Sequence, residues 1–98
     1  MIYFRQYPNL THVIIPDTVR LSHTNFDSAF LYMYNLQECK VPYNQITDLS
    51  MTYDECFNLT GSPACGNNVT SMSSTYSYCE NLTGSPVCGD NVKSMSRT

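Results

Sequence analysis

Residues 58–80 read NLTGSPACGNNVTSMSSTYSYCE, and from Asn81 the chain begins the same phrase again, NLTGSPVCGDNVKSMSRT. The step from Asn58 to Asn81 is 23 residues, a period that signals one supersecondary unit stacked on copies of itself. The phrase extends backwards: Asn35-Leu36 lies 23 residues before Asn58-Leu59, and Asn9-Leu10 lies 26 before Asn35. The first copy therefore carries three extra residues, placed around Leu21 to Asn25. The expected organisation is an N-terminal cap segment over residues 1–8 and four units over residues 9–98, starting at 9, 35, 58 and 81, the last incomplete.

Laying the copies in register separates apolar columns from polar ones. The residue after each starting Asn is Leu10, Leu36, Leu59 and Leu82. Further columns hold Val13, Cys39, Ser62 and Ser85; Ile15, Val41, Ala64 and Val87; Val19, Ile46, Val69 and Val92; and Leu49, Met72 and Met95. An aromatic column (Phe30, Tyr53, Tyr76) and a sulfur column (Met33, Cys56, Cys79) close the unit. The early columns are two residues apart, the period of a strand with one inward face, so short strands are expected near residues 13–15, 39–41, 62–64 and 85–87. Val69, Met72, Tyr76 and Cys79 fall at spacings of three, four and three, which predicts a short helical face. Neighbours must then stack to share a core, with strands ~4.8 Å apart.

These residues resemble the leucine-rich repeats of BspA-like surface proteins. NLTHVIIPDTV over residues 9–19 is similar to the strand half of that repeat, and NVTSMSSTYSYC over residues 68–79 to its helix half. The resemblance covers residues 9–98. It implies an α/β repeat solenoid, with a short parallel β-ladder on one side and short helices or turns on the other. It also implies use in attachment at a cell surface or outside the cell.

The remaining properties narrow the function classes. Only 13% of residues are charged and the net charge is −3, so there is no basic footprint for nucleic acid. No apolar run is long enough to span a membrane. Residues 1–8, MIYFRQYP, do not read as a signal peptide, so the chain either acts where it is made or is part of a longer protein. Of the five cysteines, Cys56 and Cys79, and likewise Cys65 and Cys88, are 23 residues apart, and there is no Cys-x2-Cys pair, which disfavours a structural metal site. Stacking would bring Cys56 near Cys79 and Cys65 near Cys88, within reach of a disulfide, or they fill core columns as inert thiols. His12 is expected to point away from Cys39, so the pair does not make a nucleophile and base. Asn9, Asn58, Asn68 and Asn81 begin Asn-x-Thr triplets, readable as glycan acceptors or as turn and ladder residues of the repeat.

No catalytic residue, cofactor or metal ligand is assigned. The candidate interaction surface comprises His12, Ile14, Glu38 and Lys40 on the outward strand face. To these the other half adds Tyr32, Tyr34, Phe57 and Tyr78, aromatics suited to recognition. The expected function is a non-enzymatic module that binds a protein or a surface glycan. The alternative is a structural subunit that dimerises or forms head-to-tail filaments through its last unit, at Leu82, Val87, Val92 and Met95.

Overall fold

A computed structural model describes residues 4–61 and 65–83. A 3₁₀ turn at Phe4–Gln6 precedes strand β1 (His12–Ile14), and strand β2 (Glu38–Lys40) leads into a second 3₁₀ turn at Tyr43–Gln45. The two strands are parallel, with His12 opposite Glu38, Val13 opposite Cys39 and Ile14 opposite Lys40. Among the described residues there is no α-helix. The expected α/β repeat solenoid is therefore not what the chain forms. Two parallel strands and a series of turns enclose one core, in a body 33 × 27 × 19 Å across. The expected strands at 62–64 and 85–87 lie outside the described residues.

Turns replace the expected helices for a backbone reason. Ser74 and Tyr78 have φ of 57° and 61°, in the left-handed region, which no right-handed helix contains. The same two positions are left-handed one copy earlier at Met51 and Glu55, and again at Ser28 and Tyr32. Each copy folds as overlapping turns. The amides of Thr52, Asp54 and Cys56 donate to the carbonyls of Leu49, Met51 and Tyr53, three residues back. The alternate amides of Leu49, Met51, Tyr53 and Glu55 donate instead to Ser71, Ser73, Thr75 and Ser77 of the next copy. In the turns Leu49-to-Thr52 and Tyr53-to-Cys56 the third residue has positive φ, the mark of a type II turn.

Local composition supports this outcome. Residues 70–78, TSMSSTYSY, are poor helix formers, and a helix of two turns does not hold without packing. The stacked copy offers every second amide a carbonyl. The apolar spacing that predicted a helical face is satisfied equally by the turns, which bury Leu49, Thr52, Tyr53 and Cys56 on one side.

The core runs through the copies. Phe4 stacks on Phe30 (centroids 4.8 Å apart), Phe30 on Tyr53 (5.3 Å) and Tyr53 on Tyr76 (5.3 Å), all nearly parallel. Leu36, Ile46, Leu49, Leu59, Val69 and Met72 pack beside them. Two columns break at the first copy. Leu10 is exposed where Leu36 and Leu59 are buried, and Val19 is exposed where Ile46 and Val69 are buried. Leu21 packs against the core instead, in the three-residue insertion, which the Gln45 side chain holds by accepting from Leu21 N–H (2.8 Å) and donating to the Val19 carbonyl (2.8 Å).

Candidate functional site

The copies are tied by side chains as well as by backbone, and these ties fix what the surface can offer. The Asn35 amide nitrogen donates to the Pro8 carbonyl (3.2 Å), that of Asn58 to Tyr34 (2.7 Å) and that of Asn81 to Phe57 (3.0 Å). Asn68 donates likewise to Asn44 (2.7 Å). Asn58, Asn68 and Asn81 thus serve as ladder residues, and a glycan on any of them would replace one of the two hydrogens on the nitrogen that makes this bond. Thr52 and Thr75 hydroxyls donate to the carbonyls of Phe26 (2.8 Å) and Leu49 (2.6 Å), and Cys56 and Cys79 thiols to those of Phe30 (3.0 Å) and Tyr53 (2.9 Å). The first copy has Ala29 and Met33 at these two positions.

The thiols are therefore structural donors. Cys39, Cys56 and Cys79 are free thiols, and Cys88 lies outside the described residues. Burial pushes the Cys39 thiol up to about 12 against the pull of its Tyr53 hydrogen bond, and burial likewise takes Cys79 to about 12 and Cys56 upward. The Tyr53 hydroxyl meets Tyr43 (2.7 Å) and Cys39 (3.3 Å), and burial raises both phenols. A nucleophilic cysteine needs a lowered pKa, and these shifts run the other way. His12 is exposed on β1, with Glu38 at 3.8 Å, while the Cys39 sulfur faces the Tyr53 hydroxyl. Among the described residues no group of three His, Cys, Asp or Glu side chains could hold a metal ion, and no helix is long and apolar enough to cross a membrane.

Two outward faces remain. On the strand face Glu38 lies 3.8 Å from His12 and 3.4 Å from Lys40, whose charge it answers, and Ile14 stands exposed beside them. On the turn face Tyr32, Tyr34 and Tyr78 are 51%, 48% and 66% exposed, and Phe57 is half-buried. Tyr34 stacks on Phe57 at 5.3 Å and on Tyr32 at 6.4 Å, and the backbone ladder through Glu55 carries the same aromatic ridge on to Tyr78. Asp54 and Glu55 are half-buried; Asp54 Oδ1 is enclosed without a hydrogen-bond partner, and desolvation raises its pKa. Of the candidate association end, Leu82 is half-buried against the core, and Val87, Val92 and Met95 lie outside the described residues.

Sequence reasoning identified the exposed tyrosines but missed the left-handed backbone that carries them. Its only trace in the sequence was the 23-residue recurrence of a bulky residue two places after the core aromatic: Tyr32, Glu55, Tyr78. Comparison of the chain with family models, with curated proteins and with solved structures finds no match.

Proposed function

We propose that this chain is a non-catalytic recognition or attachment module that binds a protein or surface glycan through the aromatic ridge of its turn face. The observation that carries the reading is the display of Tyr32, Tyr34 and Tyr78 on a backbone ladder hydrogen-bonded from copy to copy. Tyrosine held rigidly gives large contact area at small entropic cost. The strand face is a weaker candidate, because its carboxylate is already engaged by His12 and Lys40. The raised thiol and phenol pKa values support the non-catalytic part, since they leave the buried cysteines protonated near neutral pH. The resemblance to BspA-like surface proteins is in keeping with an attachment role.

The test presents the immobilised protein to a panel of purified surface proteins and glycans, beside a Tyr32→Gly/Tyr78→Gly variant. Capture that the double variant loses, with its melting temperature retained, supports the module. Capture indifferent to the ridge, or turnover of a substrate that Cys39→Ser abolishes, overturns it.

A further inference from the structure

The turn segments are chemically one-sided. Residues 24–36, 47–59 and 70–82 contain Asp27, Asp48, Asp54, Glu55 and Glu80 but no Lys, Arg or His. Asp27 and Asp48 are occupied locally, accepting from the Ser28 hydroxyl and the Ser50 amide. Glu55 and Glu80 make no ion pair among the described residues.

Glu55 sits in a particular column. Its amide donates to the Ser77 carbonyl, as the Tyr32 amide donates to that of Asp54, so Tyr32, Glu55 and Tyr78 follow one another up the ladder. Their φ angles are 62°, 60° and 61°, so the three side chains leave the backbone in the same sense. A carboxylate thus stands between two exposed tyrosines. Left-handed backbone costs an ordinary residue about 1–2 kcal/mol and is the usual place for Gly or Asn. The other left-handed column holds Ser28, Met51 and Ser74; this one holds Tyr, Glu and Tyr, and alone pairs aromatic rings with a carboxylate. Residues held in sparsely populated backbone regions cluster at active sites and ligand clamps.

We infer that the column Tyr32–Glu55–Tyr78, flanked by Tyr34, Phe57 and Glu80, docks a peptide segment bearing Arg or Lys side chains. A guanidinium or ammonium group lies over a tyrosine face and is neutralised by Glu55, with Glu80 serving the next cationic residue. Charge complementarity selects this occupant. Aromatic faces attract cations, and the carboxylates repel acidic peptides and phosphate. A neutral glycan would gain from the rings but leave the carboxylates without a counter-charge. The inference rests on the proposed binding role and names its partner class.

The probe is a fluorescein-labelled oligo-arginine peptide, followed by anisotropy at low and at physiological ionic strength. Tyr78→Gly and Glu55→Gln should each weaken its binding about fivefold. Glycine accepts the left-handed backbone, so the Tyr78→Gly protein keeps its melting temperature and the loss is not unfolding. Asp17→Asn makes the same change of net charge at an exposed site on another part of the chain, and should bind as the parent does. An equal loss in Asp17→Asn and Glu55→Gln overturns the site in favour of diffuse attraction, as does parental binding by both ridge variants. If the arginine peptide fails to bind and a neutral cello-oligosaccharide binds in a Tyr78-dependent way, the cationic partner falls and the recognition module stands. If neither probe binds and the surface panel is also blank, both fall.

Discussion

Two sets of aromatic rings rise through this molecule, a few residues apart in each copy, and they meet opposite fates. Phe4, Phe30, Tyr53 and Tyr76 stack face to face through the interior. Tyr32, Tyr34, Phe57 and Tyr78 stand at or near the surface. Composition does not separate them, since each set mixes Phe with Tyr. Backbone phase does. The interior rings open a turn, where the chain faces the core. Tyr32 and Tyr78 occupy the third residue of the same turns, where positive φ swings the side chain outward. The interior hydroxyls close on partners within the protein, Tyr53 on Tyr43 and Cys39. One short turn repeated in register thus builds both the dry interior and the surface offered to a partner.

The sharpest way to break this contrast is to remove one ring from each set. Tyr53→Ala deletes a fully buried ring stacked on both sides and should cost about 3–5 kcal/mol, enough to threaten folding of a chain this small. Chemical denaturation measures it. Tyr53→Phe keeps the stack but leaves the Tyr43 hydroxyl and the Cys39 thiol without their shared partner, and should cost about 1–3 kcal/mol. If Tyr53→Phe proves as damaging as Tyr53→Ala, the hydroxyl network rather than the stack holds the interior.

Alkaline pH probes the same interior. The folded values of Cys39 and Cys79, about 12, lie above the ordinary thiol value of 9.0 because burial penalises the thiolate. An acid raised on folding favours the folded state below its unfolded pKa, and that advantage is lost as pH climbs from 9 towards 12. Stability should therefore be flat from pH 7 to 9 and fall above it, and iodoacetamide should label the native thiols far more slowly than the unfolded ones at pH 8. Rapid native labelling of Cys56 would show that its bond to the Phe30 carbonyl opens readily. Asp54 shifts in the same direction at the other end of the scale, so its enclosed carboxylate favours folding more below its ordinary pKa of 3.8 than at neutral pH.

Much of the interior was legible before any coordinates. The 23-residue step and the columns containing Leu36, Leu59, Ile46, Val69, Met72, Tyr53 and Tyr76 name residues that are buried. Their local structure was not legible. Turn pairs and a helix bury the same spacing, and Ser74 and Tyr78 give no hint of positive φ, which Gly or Asn would have signalled. The insertion misplaced Val19, because Leu21 takes the place against the core and Gln45 holds the loop. The cysteines looked like inert filler because the carbonyls they bond lie 26 residues away, in the copy before. The exposed tyrosines were visible as candidates; their alignment with Glu55 was not.

Smaller effects sharpen the division between copies. Thr52→Val and Thr75→Val keep shape but remove a donor to a buried carbonyl, and each should cost about 1–2 kcal/mol. Ala29→Thr is the informative counterpart. Ala29 is fully buried, and its column position in the first copy faces the Phe4 turn rather than another set of turns. The carbonyl 26 residues back that Thr52 and Thr75 use falls, for residue 29, outside the described residues; a buried hydroxyl left without such an acceptor should destabilise. A neutral Ala29→Thr would mean that the N-terminal segment offers the same acceptor as a full copy.

The smallest expected change is the most telling about the exterior. Tyr78→Gly removes the most exposed of the turn-face rings and relieves a left-handed backbone. Relief of about 1–2 kcal/mol is set against about 0.5–1 kcal/mol for the added chain freedom of glycine. The net effect on stability should be near zero or slightly favourable, measured as a midpoint shift in urea. Tyr76→Gly, two residues earlier, should be severely destabilising, because Tyr76 stacks on Tyr53 and is buried. A marked loss from Tyr78→Gly would place that ring in the structural framework instead of holding it against strain for a partner.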